Sequence, residues 1–93
     1  MSVELPFPVS VEIKDIAKVA IFAKLPDALD AVRASLARLP LDEDQAGYLA
    51  DYFSPASAER IAHQLIHIGV VGVIAFLGIH AHPIYLRPAL DPE

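Results

Sequence analysis

IAHQLIHIGVVGVIAFLGIHAHPIYL, residues 61–86, decides the fold expected of this 93-residue chain, because it contains no Asp, Glu, Lys or Arg and all four histidines. An uncharged stretch of this length is buried in the core, against a partner or in a lipid bilayer. Residues 68–79 are all apolar or Gly, so periodicity does not separate a helix from a buried strand. Strands usually stop by about eight residues and no turn signal stands out. A long apolar helix is therefore favoured, with a strand over residues 70–82 left open.

Two helices are predicted before this stretch from the spacing of apolar residues. Over residues 14–24 the apolar positions recur at three and four, which indicates one face of a short helix. Residues 27–39 form the clearest amphipathic pattern, with acidic residues early and basic residues late, as the helix dipole favours. Pro40 ends this second helix.

Start signals predict two more helices. Asp42 followed three residues later by Gln45 is a capping box that begins a third helix. Ser54 before Pro55 begins a fourth, which runs on into the uncharged stretch. The sequence therefore predicts a mainly α fold, a small bundle of about four helices with a long apolar C-terminal helix.

The two ends of the chain are predicted to be extended. Apolar and polar residues alternate over residues 3–13, the period of a half-buried strand. Because Pro6 and Pro8 cannot donate to a sheet, residues 5–8 are predicted to be an edge strand or an extended arm, packed on its own domain or exchanged with a partner subunit. The expectation is one domain over residues 1–93, with an arm at 1–13, a helical core at 14–82 and an extended tail at 83–93.

Composition narrows the classes of function. The net charge is −5 without any run of Lys or Arg, so nucleic acid is not expected as a partner. The chain has no Cys and no signal peptide at its start, which predicts a cytoplasmic protein. Neither a GxSxG elbow nor a phosphate-binding glycine loop is present. We therefore expect a protein that is not an enzyme and has no cofactor.

The histidines form the one constellation of metal-binding residues. His63 and His67 lie four apart, so on a helix both imidazoles can reach one ion, and His80 and His82 provide a second pair. Gln64 stands where a zinc protease carries its catalytic Glu. A transition metal or haem site is thus an alternative function, although one straight helix would hold the two pairs too far apart to share an ion.

The leading functional hypothesis is a small interaction protein, a regulator or inhibitor, that buries its apolar C-terminal segment in a homodimer, another homo-oligomer or a partner interface. The hydrophobic fraction of 55% exceeds what one small core uses. Small residues of the long helix would let a second helix approach closely. The second alternative is a single-span membrane protein, although the strictly apolar part is short for a span. The predicted interface residues are Phe7, Gly69, Gly72, Ala75, Phe76 and Gly78.

Overall fold

The computed structural model describes residues 5–89 and has an α+β architecture. A four-stranded antiparallel sheet carries three helices on one face. The strands are β1 (Val9–Ile13), β2 (Ala17–Phe22), β3 (Val71–Leu77) and β4 (His80–Pro88), and the helices are α1 (Leu25–Ala37), α2 (Glu43–Tyr52) and α3 (Ala58–His67), with a 3-10 turn at Pro55–Ser57. The prediction of a mainly α bundle of about four helices is therefore wrong.

Two hairpins, β1–β2 and β3–β4, form the sheet, and the helices connect them along the chain. The strand order is β2-β1-β4-β3, so β1 and β4 pair at the centre while β2 and β3 are the edges. The central pair starts with Val9 opposite Pro88 and ends with Ile13 opposite Ile84. Residues distant in sequence therefore form the middle of the sheet.

The helix expected over residues 14–24 is wrong, because this segment turns back on β1 and becomes β2. Asp15 lies at the tight turn with φ 65°, a left-handed conformation that Asp tolerates better than most residues. The Ile16 amide donates to the Ile13 carbonyl at 3.0 Å and closes the turn. Pairing with the alternating strand β1 thus overrides the weak helical spacing of a short segment.

The long apolar C-terminal helix is also wrong, because two glycines interrupt it. Gly69, at φ 94°, ends α3, and its amide donates to the Gln64 carbonyl, as is common for glycine after a helix. Gly78, at φ 66°, is the first residue of a two-residue turn between Leu77 and His80. Glycine at this position is typical of tight hairpins. The uncharged stretch of residues 61–86 therefore forms the second part of α3, then β3 and most of β4.

Pro83 lies inside the central strand β4, where a missing N–H would normally leave a carbonyl unpaired. The Lys14 amide donates to the Pro83 carbonyl at 2.9 Å, but Pro83 cannot return the bond to Lys14. The Nδ1 of His82 donates to the Lys14 carbonyl instead, at 3.0 Å. A side chain thus completes the ladder where the proline interrupts it.

Helices α1 and α2 lie where the sequence predicts them. The Asp42 carboxylate accepts a hydrogen bond from the Gln45 amide at 2.8 Å, so the predicted N-cap of α2 is confirmed. The helices and one sheet face enclose a single core, which contains no buried polar residue among those described. Its largest fully buried side chains are Phe53, Ile13, Leu25, Leu29, Leu49, Ile61, Leu65, Ile84 and Leu86.

Of the predicted arm, residues 1–4 lie outside the described part, while Leu5 and Phe7 pack against the core just before β1. Of the predicted tail, the segment to Pro88 belongs to β4, and residues 90–93 lie outside the described part. Within residues 5–89, the structure contains no helix with the length and apolar character needed to cross a membrane.

Candidate functional site

The helices cover one face of the sheet, and the opposite face, here called the open face, is the candidate site. Side chains that share a face follow from the register, because directly paired residues lie on the same side. Ser10 pairs with both Ile21 and Arg87, and Tyr85 pairs with both Glu12 and Gly72. The open face consists of Ser10, Glu12, Val19, Ile21, Gly72, Ile74, Phe76, Ala81, Pro83, Tyr85 and Arg87.

Large apolar side chains lie exposed at both edges of the open face. On β2, Val19 is 56% and Ile21 65% exposed, and on β3, Ile74 is 49% and Phe76 50% exposed. A one-sided antiparallel sheet usually presents polar residues to solvent on its uncovered side. Exposed apolar groups that share one face are typical of a surface that binds another molecule.

The middle of the open face is formed by Tyr85 and its neighbours. The Tyr85 ring lies across Gly72, so that a Cβ at Gly72 would lie 3.5 Å from the ring carbons Cδ1 and Cε1. The Arg87 guanidinium lies over the same ring, 4.6 Å from its centroid. This stack gives the open face an aromatic and cationic centre between its two apolar edges.

The two charged groups of the open face are not paired with each other. Within residues 5–89, the salt bridge observed joins Asp30 and Arg33 on α1. Glu12 and Arg87 extend from neighbouring strands, where Ser10 pairs with Arg87 and Glu12 with Tyr85. Both charges therefore remain available to a molecule that covers this face.

The edge of the sheet beside Phe76 is closed by a side chain from α2. The Nε2 of Gln45 donates to the Phe76 carbonyl at 2.9 Å, and the Phe76 amide donates to Gln45 Oε1. In a complete capping box, the Gln45 side chain would reach back to the backbone amide of Asp42. It instead pairs with the sheet edge, a contact between distant residues that the sequence analysis did not predict.

The predicted interface residues are separated by the fold. Gly69 and Gly78 lie in turns, and Phe7 packs against the core. Ala75 is fully buried under the helices. Gly72 and Phe76 do share the open face. The close helix-to-helix contact expected through these positions cannot form, because their segments are turns and strands.

The four histidines are not brought into one site. His63 and His67 are exposed on α3 with ring centroids 4.2 Å apart. His80 is exposed at the start of β4, and His82 uses Nδ1 to donate to Lys14. Among residues 5–89, there is no group of three or more His, Cys, Asp or Glu that could hold a metal ion. The end of α3 at Gly69 therefore does not bring the two histidine pairs together.

A depression of about 240 Å³ lies between α1 and α2. Of its lining residues, Arg33 carries the polar side chain, and this group already contacts Asp30 and the Leu29 carbonyl. The remaining residues that line it are Leu36, Ala37, Leu41, Ala46 and Ala50. This depression is lined by apolar side chains and by Arg33, whose guanidinium is already hydrogen-bonded, so its lining contains no acid and base pair for catalysis.

The sequence did not indicate most residues of the open face, namely Glu12, Val19, Ile21, Ile74, Tyr85 and Arg87. Val19 and Ile21 were missed because their segment was predicted to be a helix. A usable signal was present in the alternation of residues 9–13 followed by Lys14–Asp15 and a second apolar segment. Comparison with protein families, with curated proteins and with solved structures gives no match for this chain.

Proposed function

We propose that this chain is a small non-enzymatic interaction protein that binds a protein partner through the open face of its sheet. The observation that carries the proposal is the exposure of Val19, Ile21, Ile74 and Phe76 on one uncovered face. Removing half of such a side chain from water contributes on the order of 1 kcal/mol. Several of these side chains together therefore supply a substantial part of a binding free energy.

The centre of the open face adds specificity to this apolar surface. Arg87 over Tyr85 presents a cation and an aromatic ring together, a combination enriched at binding hot spots. Glu12 places a carboxylate on the adjacent strand. A partner that matches both charges and both apolar edges would be distinguished from one that matches the apolar edges alone.

The test compares two double variants with similar exposure. Ile21→Glu with Phe76→Glu places charges at the two ends of the open face. The control, Ile66→Glu with Ile68→Glu, changes side chains of the helical layer that are 51% and 68% exposed. The purified unmodified chain and both variants are immobilised and incubated with extract of the source cells. Each protein retained by the unmodified chain is then purified, and its Kd is measured for the unmodified chain and for both variants.

We expect the open-face variant to weaken binding of the retained protein at least about tenfold, whereas the control keeps the Kd of the unmodified chain. Circular dichroism of both variants checks that the fold is intact. Equal Kd values for the two double variants would show that the open face does not carry the binding.

A second candidate function is binding of a transition metal ion by His63 and His67. The observation that favours it is the 4.2 Å separation of their ring centroids on the exposed side of α3. Two neutral imidazoles at this spacing can ligate one ion, with water or another molecule completing the coordination. Haem is not favoured, because both rings are exposed on the surface of a single helix.

Titration of metal-free protein with Zn²⁺ or Ni²⁺ tests this candidate. We expect one ion per chain, lost in the variant His63→Gln with His67→Gln and retained in the control His80→Gln. Identical calorimetric titrations of the two variants would remove the metal site on α3.

A further inference from the structure

The strand β3 is an edge of the sheet, and alternate residues along it direct their backbone groups away from the protein. The residues of β3 alternate in the direction of their backbone groups. Those directed toward β4 belong to Val71, Val73, Ala75 and Leu77, and the residues between them are Gly72, Ile74 and Phe76. The contact of Gln45 with both the amide and the carbonyl of Phe76 identifies Phe76 as a residue whose backbone groups lie on the outer side. By the same two-residue period, the backbone groups of Gly72 and Ile74 lie on the outer side as well.

Gln45 closes this edge at Phe76 alone. Among the hydrogen bonds within residues 5–89, none satisfies the outer N–H or C=O of Gly72 or Ile74, and both residues are exposed. A row of unpaired backbone groups on an edge strand is a template for another strand. The segment VGVIAFL also lacks the charges and prolines with which edge strands usually prevent such pairing.

The other edge of the sheet is protected. Strand β2 contains Lys18 and an irregularity opposite Val11–Ile13, two devices that discourage the addition of a strand. The two edges therefore differ, since β2 carries a charge and an irregularity near its start, whereas β3 carries neither and is closed only at Phe76 by Gln45.

We propose that β3 pairs with β3 of a second copy of this chain. The strands run antiparallel about a two-fold axis near Val73, so that Gly72 and Ile74 of each copy bond to Ile74 and Gly72 of the other. The two sheets then form one continuous sheet across the dimer. This inference goes beyond the proposed function and does not require the open face to bind anything.

Three features favour a second copy over an unrelated strand. An isologous contact needs a surface that is complementary to itself. The outer residues of β3 meet this condition, because each offers one N–H donor and one C=O acceptor to the same residues of an antiparallel copy. The segment carries no charge, so the pairing places no like charges opposite each other even though each chain carries −5. In addition, Gln45 bonds the outer backbone groups of Phe76 in both copies, so the paired segment ends at Phe76 in each chain.

Variants at one position separate the backbone from the side chain. Ile74→Pro removes the outer N–H but no bond to β4, since its cross-strand neighbour is Pro83 in a pair that is not hydrogen-bonded. Ile74→Thr keeps the N–H and loses most of the apolar side chain. The matched control is Ile21→Pro, a proline at an outer position of the guarded edge. Sedimentation equilibrium measures association of each purified chain, and circular dichroism checks its fold.

We expect the unmodified chain, Ile74→Thr and Ile21→Pro to be dimeric, and Ile74→Pro to raise the dimer Kd at least about tenfold. Gln45→Ala frees the outer backbone groups of Phe76, which can lengthen the paired segment, and should lower the dimer Kd. A monomeric unmodified chain at about 100 μM, a concentration that populates even weak dimers, or a dimeric, folded Ile74→Pro variant, would overturn the proposal.

Amide hydrogen exchange tests the proposal on the unmodified chain, so its result does not depend on whether a variant folds. The Gly72 and Ile74 amides should become protected as the protein concentration rises, whereas exchange of the outer Ile21 amide should not change. Exchange at Gly72 and Ile74 that is independent of concentration would overturn the proposal. A variant confined to the β2 edge of the open face, Val19→Glu with Ile21→Glu, leaves β3 uncharged and should remain dimeric while losing its partner, so the two proposals can fail separately.

Discussion

At the scale of single residues, Pro83 and His82 show how a sheet accommodates a missing donor. The Lys14 carbonyl would ordinarily accept from the residue opposite, and Pro83 has no N–H to give. His82 Nδ1 takes its place, which requires the proton of the neutral ring to reside on Nδ1. Sequence reasoning treats a proline as the end of an element, and here an adjacent side chain removes that penalty.

This substitution of one donor for another predicts a coupling between the two positions. His82→Phe leaves the Lys14 carbonyl without its partner and should reduce the free energy of unfolding by about 1 kcal/mol. In a Pro83→Ala background the new backbone N–H can donate to the same carbonyl, so His82→Phe should cost much less. Urea denaturation of the four proteins of this double-mutant cycle measures the coupling. Additive effects would mean that the His82 hydrogen bond does not replace the missing backbone bond.

Gln45 is the second residue whose role depends on a distant contact. Its position three residues after Asp42 predicts a role in capping α2, and its backbone N–H does donate to the Asp42 carboxylate. The side chain instead pairs with Phe76, 31 positions further along the chain. No local pattern contains this information, because the partner atoms belong to a backbone that has no sequence signature of its own.

At the scale of elements, the helices were predictable and most strands were not. α1 and α2 carry their own signals in amphipathic spacing, a proline near the start and an Asp N-cap. β3 and most of β4 lie in the uncharged stretch of residues 61–86, and the difference between one helix and two strands depends on Gly69 and Gly78. Each glycine alone is compatible with a helix at a cost of about 1 kcal/mol, so the pairing of the strands decides the outcome.

Opposite effects of Ala are expected at two glycines. Gly78→Ala places a Cβ at φ 66° in the β3–β4 turn and should destabilise the fold by about 1–2 kcal/mol. Gly47→Ala, in the exposed interior of α2 with no atom near the new Cβ, should stabilise it by up to about 1 kcal/mol. Thermal unfolding of both variants, followed by circular dichroism, checks the pair. A loss of stability at Gly47 or none at Gly78 would contradict these assignments of backbone conformation.

At the scale of the whole molecule, net charge opposes the association that the β3 edge favours. Each copy carries −5, so two copies repel at long range even though their paired strands are neutral. The apolar C-terminal segment predicts self-association through a stripe of small residues on a helix. The structure moves the surface proposed for self-association to the sheet edge at β3.

The dimer is therefore predicted to tighten with added salt. Between about 10 mM and 100 mM NaCl the Debye length falls from about 30 Å to about 10 Å, which screens the repulsion between the two acidic chains. The backbone hydrogen bonds at Gly72 and Ile74 are not affected in this way. Sedimentation equilibrium across this range should show a falling dimer Kd. A rising Kd would indicate that ion pairs, such as Glu12 with Arg87 of the other copy, hold the copies together.

The central position of β1 and β4 has a consequence for the order in which the fold forms. Ser10 contacts Arg87 across 77 positions of sequence, whereas each hairpin joins strands only a few residues apart. Closing so long a loop is slow compared with forming a hairpin. During synthesis on the ribosome, β1–β2 has no neighbour until β4 has emerged, so the midline of the sheet is assembled last. Until then the nascent chain presents β1 as an additional free edge, which makes this interval the time of greatest exposure to misassembly and to chaperones.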